Sequence, residues 1–238
     1  MDEIRLFMPE SINDISLRDY VKFMKIYEAN EDIENDFLDI KVLEIFCGLT
    51  YEEITKVPMH YFNEALEKFY DVFQEKTPLE RRFSMTGKDD VTVDFGFIPN
   101  LDKITLGEYI DLNNYIDNLD TIHKAMAVLF RPVHKSFKGK EAYRVAEYTG
   151  TEEYAEAMLD MPLGVALGAK VFFYRLGTSL LEAMKSYIEK NIQEAGTLSE
   201  EQEKALARDM DGFNKFMPLL TEKLLTLKSQ PNFLFTPH

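Results

Sequence analysis

Asp120 and His123 are the residues of this chain best spaced for metal chemistry. A carboxylate and an imidazole three positions apart share one helix face, the spacing that carboxylate-bridged iron sites use. Such a site also needs a second copy of the motif and further inward glutamates. His60 with Glu64 is a poor substitute, spaced by four and in the reverse order, and His134 and His238 stand apart from both. No metal site is expected. Glu108 and Asp111 share a face of a helix that opens at Thr105, and paired carboxylates can divide acid and base roles where their environments differ. Glu108, however, completes a capping box with Thr105, and Asp111 is expected to be exposed, so no catalytic pair is expected either.

The remaining chemistry-bearing types read the same way. Cys47 is the single cysteine; one thiol makes neither an internal disulfide nor a cysteine metal site. It ends an apolar helical stretch before Gly48, so a buried structural thiol in a reducing compartment is expected. Arg81 and Arg82 could grip an acidic group, but pairing with nearby carboxylates is simpler. Gly164 and Gly168 open a helix with no strand before them and no Lys-Ser/Thr after them, which excludes a phosphate loop and favours close packing through two small residues. Walker, dinucleotide, nucleophile-elbow and zincin patterns are absent. No catalytic residue, metal or cofactor is expected, and the chain reads as a non-enzyme.

The elements that would position these residues are mostly helical. Ser16 and Asp19 open a helix, a second runs from about Glu34 to Cys47, Thr50 and Glu53 box a short third, and a fourth covers about Met59 to Gln74. From Phe83 to Phe97 the period changes to two, with a turn at 86–90, which predicts a hairpin. Helices resume at Thr105 to about Asn118 and at Thr121 to Phe130. Residues 133–150 read as irregular, with a short strand at Tyr143 to Val145, before a helix near Thr151 to Leu159. The stripe Val165, Ala169, Phe172, Leu176, Leu180, Met184, Ile188 and Ile192 then predicts one long helix over about 163–194. Further helices are expected from Ser199 to about Phe213 and up to Lys228. The fold class expected is mainly α: a multi-helix bundle around that long helix with a small β-hairpin insertion at about 83–97. An acidic helical subdomain at 1–77 would precede a main helical domain at 78–238.

Composition narrows the class of partner. Hydrophobic residues make up 45% and charged residues 29%, which is globular. With 18 Phe, 12 Tyr, 11 Met and no Trp, the core is expected to be built from rings and thioethers. The opening MDEIRLFMPE lacks the basic start and apolar run of an export signal. In the most apolar window, Leu163 to Met184, a membrane span would have to bury Lys170 and Arg175 at roughly 2.5–3.5 kcal/mol each, so a soluble protein is expected. The net charge is −15; residues 1–80 hold 19 acids and 8 bases, so most of the excess lies there. Sequence-specific nucleic-acid binding needs a basic footprint and is not expected. Between Lys124 and Arg144 six bases, including Arg131, Lys135, Lys138, Lys140 and Arg144, face one acid, Glu141. Those five residues are candidates for docking an acidic partner surface, such as the acidic third of another copy. The apolar Phe233, Leu234 and Phe235 are candidates for packing on their own domain or on a neighbouring subunit.

The run LDKITLGEYIDLNNYI (Leu101 to Ile116), followed by KAMAVLFRPV (Lys124 to Val133) and MPLGVALGAKVFFYRL (Met161 to Leu176), resembles virion and tail-morphogenesis proteins of tailed phages of Bacteroidetes, including the crAss-like group. The matching residues are packing and capping residues and carry over no site. The resemblance implies a structural component of a phage particle, such as a head–tail connector ring or a packaged virion protein. Its partners would be copies of itself and other virion proteins, in the host cytoplasm during assembly and then in the virion. A homo-oligomer would fit, and acidic walls would keep a passing duplex from sticking in such a ring. A tail-assembly chaperone that leaves before completion is the alternative, and an enzyme with no readable motif is the third.

Overall fold

Helix α6 (Ile122–Leu129) passes without a loop into strand β3 (Phe130–Ser136), and this junction organises the core. Every residue from Ala125 to Phe130 is buried, all six at 0–2% exposure. A helix apolar all round must be covered on all sides, and the elements before and after it do this. The computed structural model describes residues 6–30, 35–87, 89–136 and 143–194. Of these, residues 6–169 belong to one compact unit and residues 170–194 to a second. The boundary expected near residue 77 falls inside the first unit.

That unit begins with α1 (Leu17–Glu28), α2 (Asn35–Phe46), α3 (Tyr51–Ile54) and α4 (Met59–Phe73). Local chemistry sets their ends. Ser16 Oγ accepts the Asp19 amide at 3.0 Å, and Thr50 and Glu53 form a reciprocal capping box. Gly48, at φ +71°, reverses the chain after α2, a conformation that costs glycine least. The helices meet through rings: Phe46 lies 4.8 Å from Phe69 and 5.3 Å from Phe23. α1 is also tied to the far end of the unit. Its Leu17 amide donates to Met161 O at 3.0 Å, and Arg18 reaches Asp160 at 2.7 Å and Glu156 at 3.0 Å.

Strands β1 (Arg82–Thr86) and β2 (Thr92–Phe97) form the expected hairpin, but it is only half of the sheet. β2 also pairs with β3, and β3 with β4 (Tyr143–Val145), giving a four-stranded antiparallel sheet in the order β1-β2-β3-β4. Together with eight α-helices among the described residues, this makes the chain mixed α/β. The expectation of a helical bundle with one hairpin is corrected accordingly, as is the irregular reading of residues from 133 onward. The reason lies at Pro132, which sits in a central strand, where a missing N–H normally forbids it. Pro132 O accepts the Ala146 amide at 2.9 Å, so its donor-less nitrogen faces the end of short β4, where the ladder stops. Gly96 lets Tyr143 cross the sheet: a Cβ there would come 2.4 Å from the Tyr143 ring. The Tyr143 hydroxyl donates to Phe97 O at 2.7 Å.

After β4 come α7 (Ala155–Met158) and α8 (Leu163–Glu194), the long helix that the apolar stripe predicts. Its first turns are fully buried, Leu163, Val165, Ala166 and Ala169 being at 0% exposure. The two glycines do pack closely, though against extended chain and a short turn rather than another helix. A Cβ on Gly168 would lie 2.3 Å from Pro78 O, and one on Gly164 would lie 2.4 Å from Asn13 Oδ1. Among the described residues no helix is long and apolar enough to cross a membrane. The helices expected over 199–213 and up to 228 lie outside the described residues.

Candidate functional site

Helix α5 (Leu106–Tyr115) carries the most unusual distribution of side chains in the first unit. Thr105 starts it: its hydroxyl accepts the Glu108 amide at 3.2 Å, and Glu108 Oε2 accepts the Thr105 amide at 2.6 Å. The second carboxylate oxygen, Oε1, takes Arg131 Nη2 from β3 at 2.7 Å. Both partners are buried, Glu108 at 3% exposure and Arg131 at 8%. The Arg131 guanidinium carbon lies 5.8 Å from the Tyr148 ring centroid, and the Tyr148 hydroxyl donates to Asp111 Oδ2. Burial, then the Asp111 carboxylate, pushes the Tyr148 phenol upward, so it stays protonated and remains the donor.

Glu108 and Asp111 are therefore each engaged by a different group, Glu108 by β3 and Asp111 by the chain after β4. Asp111, expected to be exposed, is half-buried. The arrangement holds α5 against β3 and the chain after β4 through charge-assisted bonds in a low-dielectric setting. It supplies no base and nucleophile in mutual reach. With the acids facing inward, the first turns of α5 present apolar side chains outward, Leu106 at 75% exposure, Tyr109 at 53% and Ile110 at 47%, followed by the exposed Asn113 and Asn114. Residues at these spacings are neighbours on a helix surface. Single exposed apolar residues need no explanation, whereas a contiguous set marks an interaction face.

The residues expected to bind partners are distributed differently from one basic surface. Arg131 is inside, neutralising Glu108, so its guanidinium is not on offer to a partner. Arg144 is exposed on β4, opposite Lys135 of β3 in the strand register. Lys138, Lys140, Phe233, Leu234 and Phe235 lie outside the described residues. The outward residues of α5 were not singled out in the sequence. Their spacing matches that of Leu112 and Ile116 on the buried face, and only the tertiary structure separates the two sets.

The other motifs resolve into structural roles. Asp120 pairs with Lys25 at 2.5 Å, and burial lowers the pKa of the neighbouring His123. Glu64 pairs with Lys68 at 2.8 Å, while His60 lies against the Tyr61 ring. Among the described residues no group of three or more His, Cys, Asp or Glu is placed to hold a metal ion. Arg82 reaches Asp94 at 3.5 Å across the hairpin. Cys47 is 2% exposed, and burial pushes its thiol up to about 11. A thiol so placed is neither ionised nor accessible at neutral pH. A disulfide exchange reagent at pH 8 is accordingly expected to leave it unmodified in the native protein and to label it fully in denaturant. Rapid labelling without denaturant would contradict this placement. Comparison with protein-family models, with curated proteins and with solved structures finds no match to the chain.

Proposed function

We propose that this chain is a structural component of a tailed-phage virion, working through protein–protein interfaces and without catalysis. The observation that carries the reading is the inverted helix α5, whose acids are consumed internally while Leu106, Tyr109 and Ile110 stand outward. A helix built this way engages its acids in its own fold and leaves an apolar patch for another surface. The sequence resemblance of Leu101–Ile116 to virion and tail-morphogenesis proteins includes this same helix, and it supplies the particle. The partners proposed are other copies of the chain and other virion proteins, met in the host cytoplasm and retained in the particle. The acidity of residues 1–80 suits a part that does not hold duplex DNA.

Light scattering coupled to size exclusion, together with mass spectrometry of purified particles, tests the reading. An oligomer that is present in virions is the expected result. Tyr109→Glu and Ile110→Glu are each expected to weaken self-association by at least about tenfold, because an interface would then bury an unpaired carboxylate. A strictly monomeric protein absent from particles would overturn the proposal. Abundance in infected-cell extracts with absence from finished particles would replace it with a tail-assembly chaperone.

A further inference from the structure

Helices α1, α2 and α4 leave between them a cleft of about 370 Å³, walled by Phe23, Tyr27, Phe69, Tyr70 and Phe73 and carrying one carboxylate, Asp39. The rings form two groups, one on each of α1 and α4. Phe23 and Tyr27 of α1 lie 6.5 Å apart, and on α4 Phe69 lies 4.9 Å from Phe73 and 5.9 Å from Tyr70. Asp39 Oδ1 accepts the Tyr70 hydroxyl at 2.7 Å. Burial, and then Asp39 itself, pushes the Tyr70 phenol upward, so Tyr70 is held as the donor. Among the described residues no Lys or Arg pairs with Asp39; the nearby Lys41 is engaged by Glu44 and lies over Phe37. Tyr27, Asp39 and Tyr70 are all half-buried, so the cleft opens to solvent on the side of the carboxylate.

Three classes of ligand can be weighed against this geometry. An anion would meet Asp39 and the negative faces of the rings, in a part of the chain with 19 acids and 8 bases. A neutral apolar ligand would desolvate Asp39 with no compensation. A cation with an alkyl shell satisfies both features, because aromatic faces attract it and one carboxylate balances it. We propose that this cleft is a binding site for an alkylammonium cation, seated against the half-buried rings of Tyr27 and Tyr70 with Asp39 as its counter-charge. A free quaternary ammonium compound and the lysine side chain of a partner offer the same chemistry.

Ligand-observed saturation-transfer NMR on the full chain tests this with three probes: tetramethylammonium chloride, Nα-acetyl-lysine methylamide, and the neutral 3,3-dimethylbutan-1-ol. At least one cation is expected to show saturation transfer, upfield ring-current shifts and an affinity at least about tenfold above that of the alcohol. The tighter of the two cations identifies the source, free ligand or side chain. Asp39→Asn, whose amide oxygen can still accept from Tyr70, is expected to lower cation affinity about tenfold while leaving the alcohol unchanged. Tyr27→Leu keeps the wall apolar and half-exposed, and it is expected to reduce the preference for cations over the alcohol. This second variant decides the matter if Asp39→Asn disturbs the fold by circular dichroism. Equal binding of alcohol and cations, or no cation binding at about 50 mM, would overturn the proposal.

Discussion

Replacing Arg131 with alanine is expected to destabilise the first unit by about 3–5 kcal/mol, the cost of leaving a buried charge without its partner. Glu108 is 3% exposed, and of its two oxygens one accepts the Thr105 amide and the other takes Arg131. Without the guanidinium, Glu108 must either stay ionised in a low-dielectric site, take up a proton, or swing outward. Swinging outward would give up the capping box and with it the start of α5. The loss reaches Tyr148 as well, since its ring loses the cation above it while its hydroxyl still holds Asp111. Urea unfolding followed by circular dichroism measures the cost, and amide exchange across Leu106–Tyr115 locates it. Glu108→Gln alone is expected to cost less, because the amide oxygen can still cap. The double variant Glu108→Gln/Arg131→Met is expected to recover at least half of the alanine loss, because replacing a buried pair with neutral groups is often close to neutral. A loss below about 1 kcal/mol for Arg131→Ala would mean that water reaches Glu108, and the buried network would then be no anchor for α5.

The same residue marks the limit of what is legible in the sequence. The capping box of Thr105 and Glu108 is local, three positions apart, and visible in the sequence; the partner of Glu108 is not, because Arg131 lies in a different element. Arg131 also sits among other bases between Lys124 and Arg144, so the sequence does not distinguish it from exposed bases, whereas it is buried against Glu108. Local signals carried the elements well. The hairpin, the strand at Tyr143–Val145 and α8 at Leu163–Glu194 all follow from period and turn chemistry. β3 did not, because FRPVHKS has no alternation and holds a proline, and the chain enters it directly from a buried helix. Without β3 the hairpin had nothing to pair with, and the sheet could not be assembled. The outward apolar patch of α5 is hidden for a related reason: the helix has apolar residues at helical spacing on two sides, and period alone cannot choose which side is buried.

The glycines of α8 lead to a second large effect, and the two should part company. Gly168→Ala is expected to cost about 2 kcal/mol, whereas Gly164→Ala is expected to lie within about 1 kcal/mol of the parent. Both changes gain helix propensity of about 1 kcal/mol, so what separates them is what each new methyl group meets. At Gly164 the obstacles are side-chain ends, Asn13 Oδ1 at 2.4 Å and Ile12 Cγ2 at 2.8 Å, which can rotate away. At Gly168 they are backbone atoms, Pro78 O at 2.3 Å, Pro78 C at 3.0 Å and Thr77 O at 3.3 Å. The proline ring fixes its own φ, so the segment must move as a body. It cannot move far without consequence, because a few residues on Arg81 O accepts the Phe97 amide at 2.9 Å and closes the β1–β2 ladder. Thermal unfolding of the two variants gives the comparison directly, with Gly168→Ser as a check that the effect follows the methyl position rather than polarity. Equal melting temperatures for Gly168→Ala and the parent would show that the 77–78 segment is held loosely against α8. The hairpin would then be positioned by β3 and Tyr143.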